Sequence, residues 1–247
     1  MAAPWPEGVD RVVLPETDST SAELVRRRPA RPTWLLAHHQ LAARGRRGRV
    51  WAMPLGNFAA SLSYVLADDP SRIALRSFVA SLALHDALTE LGVADLTLKW
   101  PNDVLLGDRK LAGILLECPV PGCLVVGIGL NLAVAPDAAV LESGAVPPIA
   151  LAERGHDVRP EVLLDALAPA YAAREAAFRA EGFAPIREAW LARAARSGQR
   201  ITARTMTETR IGMFEDVDME GHLILAEGSG RHRIAAADIF FAEAPCS

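Results

Sequence analysis

The sequence predicts an α+β (mixed α/β) protein in two parts, a larger layered domain over residues 1–197 and a small β-barrel over residues 198–247. Short strand-like runs and longer helical segments intermingle through the first part, the pattern of a mixed sheet with helices packed on it. After Ser197 only short strands separated by turn residues follow, which suggests a barrel. Hydrophobic residues make up 51% of the chain, enough to fill a substantial core.

Each element has a local reason. Arg11–Leu14 reads as a short strand, and Asp18-Ser-Thr offers capping side chains before a helix near Ser21–Arg28 that Pro29 ends. Thr33–His38 is an apolar strand; Leu41–Pro54, rich in Arg and Gly, is neither helix nor strand; Asn57–Leu66 alternates as a strand. Pro70–Leu91 is a long helix with a wide apolar face, closed by Gly92. Leu96–Lys99, Val104–Leu106, Lys110–Glu117 and Leu124–Gly129 follow as strands, the middle two joined across Gly107-Asp108. Pro160–Ala180 and Pro185–Ala194 are Ala-rich helices, and Arg200–Thr205, Arg210–Val217, His222–Ala226 and Arg231–Ala235 are the strands of the second part.

Charge and cysteine usage narrow the classes. The net charge is −4 and the basic residues are dispersed outside one run near Arg44, so no broad nucleic-acid-binding face is expected. Cys118, Cys123 and Cys246 do not make a disulfide framework. With no basic-then-apolar leader and no apolar run of spanning length, the expected location is the cytoplasm, away from the membrane.

Four segments carry chemistry. Ala43-Arg-Gly-Arg-Arg-Gly-Arg-Val-Trp51 sets Arg44, Arg46, Arg47 and Arg49 among Gly45 and Gly48. Glycine lets the backbone come close, and the guanidinium fork pairs with phosphate or carboxylate oxygens. A solvated basic loop or a nucleic-acid patch is the plainer alternative. In Lys99-Trp-Pro-Asn-Asp103, Pro101 ends the strand and presents Asn102 and Asp103 in a turn. Such oxygens can orient a Mg²⁺–phosphate unit, or merely make the turn. In Arg109-Lys-Leu-Ala-Gly-Ile-Leu-Leu-Glu117, Lys110 starts an apolar strand and Gly113 leaves room for a ligand. An anion is an attractive partner for that lysine; a snorkelling surface lysine is the alternative. Gly127-Ile-Gly-Leu-Asn131 has the spacing of neither a dinucleotide fingerprint nor a P-loop.

The ordered set resembles the biotin–protein ligase family, in particular the bacterial biotin–[acetyl-CoA-carboxylase] ligases. The matching pieces are Asp18-Ser-Thr, Gln40 with the arginine loop and Trp51, Lys99-Trp-Pro-Asn-Asp103, Arg109–Glu117 and Gly127-Ile-Gly-Leu-Asn131. They span roughly residues 10 to 135, and the later barrel resembles that family's SH3-like C-terminal domain. The catalytic motifs begin almost at once, so the expected form lacks the DNA-binding domain of larger relatives.

The resemblance implies ATP-dependent adenylation of biotin to biotinyl-5′-AMP, with Mg²⁺, then transfer to a lysine of a biotin carboxyl carrier protein. Lys110, Arg44, Arg46 and Asp103 become the catalytic candidates, Asp103 as a Mg²⁺ ligand or as acceptor of the lysine proton. Biotin is expected on Ser19, Thr20, Ser21, Gln40, Arg44, Gly45, Arg46, Lys110 and Gly113, and ATP on Arg46, Trp51, Lys110 and Asn131. Ala43 stands where the family carries a glycine, raising the question of backbone strain. The rival readings are a lipoate–protein ligase or octanoyl transferase of the same fold, and a non-catalytic biotin-responsive binding protein. Monomer and homodimer are both compatible with the sequence.

Overall fold

A computed structural model describes residues 3–66, 68–120, 122–137 and 145–241. Cys246 and the end of the expected barrel lie outside them. The first part is a seven-stranded mixed sheet in the order β1-β2-β3-β7-β6-β5-β4. Its strands are β1 (Asp10–Thr17), β2 (Thr33–Gln40), β3 (Phe58–Val65), β4 (Leu96–Lys99), β5 (Asp103–Leu106), β6 (Arg109–Glu117) and β7 (Cys123–Leu130). Only β1 and β2 run parallel; the remaining neighbours are antiparallel.

Helix α1 (Thr20–Arg27) lies on one face of this sheet, over β2, β3 and β7. Ser19 caps it, its Oγ accepting from the Ala22 amide at 3.4 Å, and Arg28 ends it in the left-handed region. The other face is covered by α3 (Arg76–Glu90) and α4 (Pro160–Glu181), with α5 (Phe183–Leu191) packed against both helices. The segment expected as one helix from Pro70 is two, α2 (Pro70–Ala74) and α3, which meet at Leu75. The second Ala-rich helix starts at Phe183, two residues before the Pro185 expected to open it, because Gly182 ends α4 and releases the chain there.

Strand alternation decides what each face can do. On β7, Leu124, Val126, Ile128 and Leu130 enter the large core under α3 and α4. The intervening Gly127 and Gly129 leave the opposite face open. On β3, Phe58, Ala60, Leu62 and Tyr64 enter the core, while Ala59, Ser61 and Ser63 take the other side. One face of the sheet is therefore bulky and dry; the other has small and hydroxyl residues along β3 and β7, beside an apolar patch of Leu24, Leu35 and Val125 under α1.

The core contains an ionic cluster. Arg76 is fully buried, 2.9 Å from Glu175 and 2.6 Å from Asp68, with its guanidinium 5.0 Å above the Phe178 ring. Removing one partner of a buried pair strands the other charge. Glu175→Ala is expected to lose about 3 kcal/mol of stability, read as a lower urea midpoint at unchanged slope. A shift within error of zero would mean that Asp68 alone satisfies Arg76.

The second part is a five-stranded antiparallel sheet in the order β11-β10-β9-β8-β12, comprising β8 (Arg200–Arg204), β9 (Thr209–Val217), β10 (Leu223–Glu227), β11 (Gly230–Ile234) and β12 (Asp238–Phe241). Four of these match the sequence expectation; β12 does not appear in it. Its inward residues, among them Ile201, Phe214, Leu225 and Ile239, join the core of the first part. Gly221 (φ +80) comes so close to α3 that a Cβ there would lie 2.9 Å from Leu75, and its carbonyl accepts from the Trp100 indole at 3.0 Å. Arg187 holds the same region through the Val217 carbonyl and the Asp216 carboxylate. No helix among the described residues is long and apolar enough to cross a membrane.

Candidate active site

A cavity of about 1060 Å³ opens on the small-residue face of the large sheet, between α1, the arginine loop and the start of β12. Gly113, Gly127 and Gly129 form its floor. A Cβ on Gly129 would lie 2.6 Å from the Trp51 indole nitrogen, one on Gly113 3.1 Å from the same ring, and one on Gly127 3.1 Å from Ser21 Oγ. Glycine is required at Gly129 by close approach, since its φ is ordinary. The sequence marked Gly113 as leaving room for a ligand, whereas Gly127 and Gly129 stood in an expected motif without an assigned role.

One end of the cavity is a chain of hydroxyls and an amide. The Thr20 amide donates to Gln40 Oε1 at 2.7 Å and Thr20 Oγ1 does so at 3.0 Å. Ser61 Oγ lies 2.7 Å from Thr20 Oγ1 and 3.1 Å from Ser21 Oγ. An amide N–H can only donate, so the Gln40 oxygen must face Thr20 and its NH₂ is left for a ligand acceptor. Ser19 contributes its oxygen to the helix cap, and Thr20 and Ser21 are buried. Ser61 was not among the expected residues. Its period-two pairing with Ser63 in an otherwise apolar strand is the signal that could have found it.

The other end is cationic. Asp103 is buried, with Oδ1 2.7 Å from Lys110 Nζ and Oδ2 3.5 Å from Lys99 Nζ. Burial alone would raise the Asp103 carboxyl; the charges of Lys110 and Lys99 outweigh it and hold the group below the usual carboxylate range. Burial pushes Lys99 down from the ordinary lysine value, with Asp103 opposing. Lys99 stands inside an expected motif, yet its role as a second cation beside Asp103 is visible only here. Lys110 Nζ also lies 5.5 Å above the Trp51 ring.

The arginine loop forms a small hairpin. Gly45 N–H donates to the Arg49 carbonyl at 2.7 Å and Trp51 N–H to the Ala43 carbonyl at 3.0 Å. Its tip, Arg46–Gly48, is a short 3₁₀ turn in which Arg47 (φ 57) and Gly48 (φ 72) take the left-handed conformation. Arg46 reaches Asn102 Oδ1 at 3.3 Å, whereas Arg44 lines the cavity with its side chain exposed. Arg46, Lys110, Lys99 and Asp103 thus come together, and Arg44 stays at the mouth. Ala43 is absent from the positive-φ residues; its methyl packs with Met53 and Ala59, so alanine carries no strain there.

Asn131 is buried beside this centre. Its Nδ2 donates to the Ile149 carbonyl at 3.1 Å, and its Oδ1 has no hydrogen-bond partner among the described residues. A buried unpaired acceptor is costly, so a ligand donor fits that position. A divalent cation does not fit Asp103 in the same way. Mg²⁺ needs carboxylate oxygens at about 2.1 Å, and both oxygens of Asp103 already face lysine ammoniums. A metal bound directly there would displace Lys110. The one group of His, Cys, Asp or Glu at ligating distances among the described residues, Asp218, Glu220 and His222, lies in the turn joining β9 to β10, where Arg233 ties both carboxylates.

Known proteins share this architecture. Residues 13–131 match the biotin/lipoate A/B protein ligase family, and residues 197–242 match the biotin protein ligase C-terminal domain. The chain is 51% identical over 238 residues to the biotin–[acetyl-CoA-carboxylase] ligase of Paracoccus denitrificans, covering 93% of this chain and 99% of that protein. It is 28% identical over 233 residues to the bifunctional ligase/repressor BirA of Bacillus subtilis, covering 92% of this chain and 71% of that one. Among solved structures, the Aquifex aeolicus biotin protein ligase in complex with biotin and ATP superposes with a TM-score of 0.80 at 25% identity, over 93% of this chain and 97% of that one. With half of its residues shared along nearly the whole of a curated relative, this chain belongs to the biotin/lipoate A/B protein ligase family.

Proposed function

We propose that this chain is an ATP-dependent biotin–protein ligase that forms biotinyl-5′-AMP and transfers biotin to a lysine of a biotin carboxyl carrier protein. One observation carries the reading: a glycine-floored cavity joins a hydroxyl–amide end to a cationic end built on one buried carboxylate. The ring end of biotin is a ureido group, which the Gln40 NH₂ and the Thr20–Ser61–Ser21 hydroxyls can bind on both its donor and acceptor sides. Its valerate chain crosses the glycines toward Lys110.

In the first step a biotin carboxylate oxygen attacks the α-phosphorus and pyrophosphate leaves. Two anions must meet, so the work is positioning and charge. Lys110 turns from Asp103 toward the two anions, while Lys99 stays on Asp103 and Arg46 and Arg44 close from above. Asn131 Oδ1 accepts from an amino group of adenine, beside Trp51. In the second step the carrier amine attacks the acyl carbon, AMP leaves, and one proton is released. As Lys110 moves away, Asp103 loses part of its cationic support and its proton affinity rises, which suits it to take that proton. Mg²⁺ carried by the ATP phosphates would neutralise part of their charge, with Asp103 not its direct ligand while its oxygens face Lys99 and Lys110.

The division near Ser197–Gly198 separates a catalytic domain from its C-terminal sheet, and Cys118 and Cys123, free thiols among the described residues, suit a cytoplasmic enzyme. The test is biotin-dependent exchange of label between pyrophosphate and ATP, run beside lipoate. Exchange with biotin supports the reading; exchange with lipoate alone moves the chain to lipoate ligation, and none with either makes it a binding protein. A second check concerns the floor. Gly129→Ala is expected to drive Trp51 off the sheet and weaken ATP binding about tenfold by calorimetry. Native affinity would mean that Trp51 is no wall of the nucleotide site.

A further inference from the structure

We infer that Asp238, the first residue of β12, is a positioning residue that latches the arginine loop over the cavity, so that the C-terminal sheet completes the active site. The loop's four arginines divide by partner. Arg44, Arg46 and Arg49 line the cavity, and Arg46 reaches Asn102. Arg47 Nη1 and Arg49 Nη2 meet one oxygen, Asp238 Oδ2, at 2.7 and 2.9 Å. The hairpin hydrogen bonds shape the loop internally; Arg46 on Asn102 and the packing of Ala43 hold its cavity side, and the bonds to Asp238 tie its tip to the second sheet.

An exposed ion pair would contribute little. Here the carboxylate is 19% exposed and its backbone is held by the β12–β8 ladder, opposite Arg204. Two charge-assisted bonds converge on it, so the geometry is set before the loop arrives. The sheet that carries it is itself anchored by Trp100 on Gly221 and Arg187 on Asp216. Arg47 sits in the left-handed region, which a non-glycine residue occupies only where its surroundings enforce it. Asp238 also offsets the mutual repulsion of the loop's guanidiniums and supports the charge of half-buried Arg46, which burial disfavours.

The consequence for catalysis rests on the ligase reading; the latch does not. Trypsin cleaves after arginine, so loop order is readable on the intact chain without activity. Asp238→Asn, of equal size, is expected to raise cleavage at Arg44–Arg49 about tenfold with an unchanged melting midpoint, and Asp238→Glu to restore protection. Arg47→Gln, made from the loop side, should loosen the remaining sites by less, because Arg49 stays on Asp238, and adding it to Asp238→Asn should cost nothing more. With biotin and ATP, Asp238→Asn should release biotinyl-5′-AMP about tenfold faster and raise the KM for biotin more than it lowers kcat. Native cleavage rates in Asp238→Asn would overturn the latch, as would loss of protection only in step with a fall in melting midpoint. If the unaltered chain makes no adenylate, the ligase reading fails while the proteolysis still decides the latch.

Discussion

Replacing Lys110 by alanine is expected to cut biotin-dependent pyrophosphate–ATP exchange by about a hundredfold or more, with little change in melting. The size follows from what the ammonium does and from what its loss leaves behind. Lys110 is the cation at the open edge of the cluster, with 30% of its side chain exposed, so the fold does not depend on it. Without it, Asp103 faces the incoming carboxylate and phosphate with Lys99 alone to balance it, and repulsion adds to the lost attraction. A second substitution, Asp103→Asn, in the Lys110→Ala background should therefore return part of the activity. Near-native exchange by Lys110→Ala would remove Lys110 from the chemistry.

Asp103→Ala is expected to destabilise the protein by about 3 kcal/mol near neutral pH, in contrast to Lys110→Ala. The Lys99 side chain is only 11% exposed and would be left as an uncompensated cation. The pH dependence follows from linkage. With Asp103 removed, the folded-state pKa of Lys99 falls further below its unfolded value, roughly 10.4. The unfolded state then binds more protons between the two values, so stability rises with pH across that window. The defect should be full below the folded pKa of Lys99 and shrink toward roughly pH 10. Urea midpoints of the variant and the parent across that range give the check; a defect independent of pH would mean that water, and not loss of the proton, relieves Lys99.

Much of this was legible in one dimension because it is local. The strands β4 to β7, the Gly107–Asp108 hairpin and the cap at Ser19 follow from alternation, turn residues and capping side chains. The break at Leu75 was not legible, since the apolar pattern continues through it and no Pro or Gly marks it. Ser61 was missed for another reason: its alternation with Ser63 marks a polar face on the strand, but its partners, Thr20 and Ser21, are set against it only by the packing of α1.

What the sequence determined by itself is the order of the motifs and the chemistry they can hold: a guanidinium loop, a lysine at a strand edge, glycines where a ligand must approach. These rest on side-chain type and short spacing, which the chain carries unfolded. The tertiary structure alone decided how the charges pair. Asp103 between Lys99 and Lys110 depends on the turn joining β4 and β5 and on the packing of β6 beside it. Asp238 on Arg47 and Arg49 joins residues about 190 positions apart. Coulomb energy depends on distance in space and on burial, and neither quantity exists until the sheets have packed.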